Sequence, residues 1–182
     1  MAAFAYFISQ DYLKKYTVID GNVDQKLLNP VIRSCQEEYI MPILGTDLYE
    51  KLISDIIADS VTGDYKTLLD DWVRPALRQW VVYEAPLAIS FKMRNNGLIR
   101  QGNEGDTAAT TAEVERFEDR YFRKAKDKTS DMYDWLCANS DLFTEYTANT
   151  DDGDKSPISV SDSYGGIWLG LRNPKDCCED EE

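Results

Sequence analysis

Residues Tyr65 to Arg94 read YKTLLDDWVRPALRQWVVYEAPLAISFKMR. Leu69, Trp72, Val73, Ala76, Trp80, Tyr83, Leu87 and Phe91 recur there at the three-and-four spacing of one helical face. Val81, Val82, Ala85, Ala88 and Ile89 add apolar groups on the other sides, and a helix that is apolar nearly all round is a buried one. The stretch therefore predicts a central helix, roughly 45 Å long at ~1.5 Å per residue, that the rest of the chain covers. Pro75 and Pro86 each lack an N–H and crowd the carbonyl four residues back, so each is expected to kink or restart the helix. They lie about three turns apart, which puts both bends on nearly one face.

Upstream of this axis, Phe4, Tyr6 and Ile8 alternate like an extended arm. Ser9 suits the N-cap of a short helix over Gln10 to Tyr16, with Tyr12, Leu13 and Tyr16 as its apolar edge. Asn22 with Gln25 resembles a capping box opening a second helix, whose stripe is Leu28, Val31, Ile32, Cys35, Tyr39 and Ile43. Pro30 is expected to kink that helix, and Pro42 with Gly45 to end it. Thr46 then suits the cap of a third helix over Asp47 to Ala58.

Downstream, Asn95 to Asp106 is crowded with Asn and Gly around Leu98 and Ile99, predicting a small hairpin or loop that projects from the bundle. Thr110 and Glu113 form a capping box for a long helix over Thr111 to Ala138. Its apolar stripe is Val114, Phe117, Tyr121, Ala125, Met132, Trp135 and Leu136, and its outer face carries Glu115, Glu118, Arg123, Lys124, Lys126 and Lys128. From Thr144 the composition reads as a linker. Apolar residues then return in two alternating runs, Ile158 and Val160, then Ile167, Leu169 and Leu171, with Trp168 on the opposite side of the second. Such a strand either folds back or adds to another chain, and the latter is preferred because strand addition brings backbone hydrogen bonds and a Trp anchor.

The sequence thus predicts an all-α fold, a bundle of about four main helices. Its divisions are an N-terminal arm and short helix (1–21), the bundle (22–143, with loop 95–111), and a C-terminal arm (144–182) with an apolar strand over 156–172 and an acidic end. At 182 residues the chain is long enough to bury ~70% of its unfolded surface without a metal or disulfide. Acidic residues number 33 against 20 basic, a formal net charge of -13. That surface repels phosphate backbones; it serves solubility, and it also suits a passage through which DNA slides without sticking.

There is no histidine, which removes the commonest general base and transition-metal ligand together. Cys35, Cys137, Cys177 and Cys178 have no C-x-x-C spacing, as expected of a reducing compartment with Cys35 and Cys137 in the core. The N-terminal residues have neither the basic flank of a signal peptide nor the length of a membrane span, so no membrane role and a cytosolic site of assembly are expected. Asp70–Asp71, Glu37–Glu38, and Glu115 with Glu118 and Asp119 are carboxylate clusters that read as solvated helix faces rather than acid–base or cation sites. Asp151-Asp152-Gly153-Asp154 lacks the later glutamate of a calcium loop, and no phosphate-binding or nucleophile motif occurs. Neither catalysis, cofactor nor metal is expected. Aromatics outside the helical stripes point to contacts instead. The expected partner-contact set is Tyr6 and Phe7 in the arm, Leu98 and Ile99 in the loop, and Ile158, Val160, Ile167, Trp168, Leu169 and Leu171 near the C-terminus.

The run from Tyr39 to Leu52, YIMPILGTDLYEKL, resembles the helix–turn–helix junction of tailed-phage head-to-tail connector proteins, or adaptors, of the kind found in phages of Bacteroides and the crAss-like group. Trp72-Val73-Arg74-Pro75-Ala76 and the run from Trp135 to Phe143 are similar to later parts of the same proteins. The resemblance implies a virion structural protein of the neck or tail, assembled in the host cytoplasm. It would form a ring of about twelve copies below the portal, bind the portal and adjacent rings, extend the DNA channel and pass DNA without gripping it. A cyclic ring uses heterologous contacts, so two unlike apolar patches are expected. Two alternatives stay open: a monomeric scaffold that binds one protein partner through its C-terminal strand, and a carboxylate-metal hydrolase using Asp70 or Glu118.

Overall fold

The computed structural model describes residues 4–19, 21, 23–94, 97–100 and 110–148. Helix α1 is Gln10–Tyr16, and the Ser9 side chain accepts the Tyr12 N–H as its cap. Helix α2 is Gln25–Cys35, capped by Asp24, whose carboxylate accepts the Lys26 N–H. This corrects the expected cap, Asn22, which lies outside the described residues. The chain then continues through a π-helical stretch, Gln36–Ile40, into the short helix α3, Met41–Leu44. Pro42 therefore does not end the helix. Gly45 does, at a φ of 75° that an L side chain rarely adopts. Thr46 is the first residue of α4, Thr46–Ile57, rather than its cap.

The central rod consists of α5, Gly63–Thr67, a second π-helical stretch, Leu68–Val73, and α6, Arg74–Ser90. It ends before the expected point. Phe91–Arg94 is strand β1, which pairs antiparallel with β2, Gly97–Arg100, in the register Phe91 to Arg100 and Met93 to Leu98. The hairpin exists as expected, but it takes its first strand from what helical spacing alone assigns to the central helix. Phe91 thus leaves the helical stripe.

Both π-helical stretches end two residues before a proline, Pro42 or Pro75. A proline ring crowds the carbonyl four residues back and gives it no N–H. Widening the turn so that bonds reach the fifth residue back relieves that crowding. Accordingly the Met41 N–H bonds to the Gln36 carbonyl, and the Arg74 N–H to that of Leu69. The bend expected at Pro75 takes this form.

Helix α7 spans Thr111–Ala138, the expected bounds, and both halves of the Thr110/Glu113 capping box are made. A short 3-10 turn, Ser140–Leu142, leads into α8, Thr144–Ala148. The linker expected from Thr144 thus begins as helix. Phe143 and Tyr146 are buried, and the Tyr65 hydroxyl donates to Glu145 Oε2 at 2.6 Å, tying α8 to the start of the rod.

The fold is all-α, with α2, α4, α6 and α7 as its main helices. Helix α6 packs on α7 and on α2, and the latter two scarcely touch, so α6 is the middle layer. Leu28, Ile32, Leu77, Val81, Ala125, Met132 and Leu136 are fully buried around it. Each large aliphatic side chain so buried contributes on the order of 1.5–3 kcal/mol relative to exposure. Trp80 is satisfied by its neighbours: Nε1 donates to Thr129 Oγ1 at 2.9 Å, and Tyr39 stacks on the ring at 3.8 Å and 3°.

Candidate interaction site

The N-terminal segment packs differently from the expected alternation. Phe7 and Ile8 are 1% and 2% exposed, while Tyr6 is 39% exposed. Phe7, expected as a contact residue, is a core side chain set edge-on against Tyr49 with ring centroids 5.3 Å apart. Its backbone is held from both sides. The Phe7 N–H donates to Gln36 Oε1 at 2.9 Å, and Gln36 Nε2 donates to the Ala5 carbonyl at 3.0 Å and to the Tyr49 hydroxyl at 3.1 Å. Arg74 Nε donates to the Phe7 carbonyl at 2.8 Å, and the same guanidinium pairs with Asp70. Gln36 is wholly buried, and its amide serves residues 5–7 as a neighbouring strand would, with acceptor and donors both in use.

Sequence reasoning missed Gln36. The signal was a lone amide four residues after Ile32, on the apolar face that Cys35, Tyr39 and Ile43 continue. Gln36 opens the first π-helical stretch and Arg74 directly follows the second, so both widened turns place a side chain on this one segment.

A groove of about 350 Å³ lies between α2 and α6, with Val31, Leu87 and Ala88 as apolar walls and Glu38 and Glu84 as its charged lining among the described residues. Leu87 is 56% exposed, although helical spacing places it on the core face. The Tyr39 hydroxyl donates to Glu84 Oε1 at 2.7 Å. Burial raises the Tyr39 phenol above its ordinary value, and the Glu84 carboxylate adds to the rise. Burial likewise pushes the Cys35 thiol well up, as suits a core residue rather than a reactive thiolate. Cys137 is half-buried; Cys177 and Cys178 lie outside the described residues.

The carboxylate clusters are engaged or open to water. Glu37 pairs with Arg33 at 2.9 Å, Asp70 pairs with Arg74, and Glu115 and Asp119 are exposed. Among the described residues, no group of three or more Cys, Asp or Glu is placed to hold a metal ion, and no helix is long and apolar enough to cross a membrane. Helix α7, which packs on α6, exposes Arg116, Arg120, Arg123 and Lys124.

Of the expected contact residues, Tyr6 is at the surface and Phe7 is not. Leu98 and Ile99 lie in β2 opposite Met93 and Lys92. Ile158, Val160, Ile167, Trp168, Leu169 and Leu171 fall outside the described residues. The chain matches no curated protein and no solved structure. Residues 40–155 match the model of a protein family, and this span takes in α3 to α8 with the hairpin but leaves out the N-terminal segment and Gln36. The chain belongs to that family, DUF6712, a family of unknown function.

Proposed function

We propose that this chain is a subunit of a head-to-tail connector ring of a tailed phage, set below the portal, where it extends the DNA channel and joins capsid to tail. The observation that carries this reading is the hairpin. Its sheet has two strands, β1 and β2, and among the described residues no third pairs with either outer edge. A lone two-stranded hairpin is marginally stable in water, and an open edge is a template for another chain. The hairpin continues the central rod, and in this reading a neighbouring ring or the portal completes it. The net charge of -13 supports a channel wall that DNA passes without adhering. No catalysis is assigned to the chain.

The test is the particle mass of the purified full chain, alone and mixed with its candidate portal, with negative-stain images of both samples. Closed rings of about twelve subunits, free or only on the portal, are the expected result. A monomer indifferent to the portal overturns the reading and favours a scaffold with a single partner.

A further inference from the structure

We infer that the glutamate-lined groove between α2 and α6 receives the basic outer face of α7 from a second copy of the chain. The inference rests on the ring reading and names the surfaces that would meet. Among the described residues, the charged groups lining the groove are the two glutamates Glu38 and Glu84, and Leu87 stands half-uncovered beside them. A matching surface must therefore bring cationic heads together with aliphatic cover.

The chain offers one. Between Arg116 and Lys128, α7 carries six basic against three acidic residues, in a protein whose net charge is -13. Arg116, Arg120 and Arg123 are spaced by four and three, so they share one helical face, with Lys124 beside them, and all four are exposed. An arginine lays an apolar stem along a surface while its planar head pairs with carboxylates, so Leu87 and the two glutamates are satisfied by one residue type.

The layer order supplies the second argument. Helix α6 packs on both α2 and α7, which scarcely touch each other, so the acidic groove and the basic face are separate patches of the subunit. Two unlike, separate patches are what a head-to-tail contact requires, and such contacts close into rings when the rotation permits.

The experiment is sedimentation velocity of the full chain over a range of concentrations, at low and raised salt, for the wild type, Glu38→Lys and the pair Arg120→Glu with Arg123→Glu. All three positions are exposed, and circular dichroism melts verify that the variants fold. The wild type is expected to associate, less so in salt. Each reversed face should weaken association roughly tenfold or more, since like charges then oppose each other. Mixing the two variants in equal amounts should restore it, because each then presents a complementary face to the other. Reversals that leave an associating wild type unchanged overturn this inference and leave the ring reading standing. So does a mixture that stays dissociated. A wild type that remains monomeric at every concentration overturns this inference, and the ring reading is then decided by assembly on the portal.

Discussion

Two non-helical segments among the described residues are held in opposite ways. The segment Phe4–Ile8 is fastened by side chains distant in sequence, Gln36, Tyr49 and Arg74, and buries Phe7 and Ile8. The hairpin Phe91–Arg100 is held by its own ladder, and its main contact with the bundle is to the helix it continues. The first completes the core. The second keeps one edge of each strand unpaired among the described residues. Extended structure in a helical protein is thus no single signal; which groups satisfy its backbone decides whether it serves the fold or a partner.

The contrast can be broken most sharply at Gln36. Gln36→Leu keeps the bulk but strips partners from the Phe7 N–H, the Ala5 carbonyl and the Tyr49 hydroxyl. It should cost roughly 2–4 kcal/mol in urea unfolding. A loss below about 0.5 kcal/mol would show that Phe7 packing alone holds the segment.

A smaller effect is expected where α8 meets the rod. Burial, with Glu145 adding, pushes the Tyr65 phenol from 10.0 up to about 12. For Glu145, burial alone would raise the carboxyl, but the Tyr65, backbone and Thr144 hydrogen bonds outweigh it and leave it below its ordinary value. A folded-state value raised above the unfolded one means that the Tyr65 contribution is whole below pH 10 and is lost as pH climbs through about 12. Tyr65→Phe should therefore cost about 1 kcal/mol at neutral pH and show a shallower alkaline loss than the wild type. Equal slopes for the two would exclude a hydrogen-bonded Tyr65–Glu145 contact.

The smallest effect belongs to the hairpin. Replacing Phe91–Arg100 with a short Gly-Ser connection should change unfolding stability by less than about 1 kcal/mol while abolishing assembly. A loss of several kcal/mol would make the hairpin part of the core and erase the comparison.

What the sequence disclosed follows from the range of the forces involved. Ser9 and the Thr110/Glu113 pair fixed the starts of α1 and α7, because a cap is a contact between residues two or three apart. The stripes of α2 and α7 were legible for the same reason. Helix α8 was not, since TEYTA is short and polar, and its order comes from Tyr146 and Tyr65, the latter far away in sequence. Phe91 kept helical spacing in a strand because spacing alone carries no stop signal. In the candidate site, the Glu38 and Glu84 that line the groove come from separate helices, and only the fold brings them together. The inward turn of Phe7 was hidden likewise, depending on a glutamine in another helix.

The widened turns before Pro42 and Pro75 bear on how this gene can change. Each accommodates one residue more than an α-helix would at that place. Losing a single codon from either would wind the turn back to α-helix and set the proline ring against a carbonyl again. Surface loops absorb length variation freely, whereas these two stretches do not. The mutational record of such a chain should therefore show insertions and deletions between the helices and a fixed residue count from Gln36 to Pro42 and from Leu68 to Pro75.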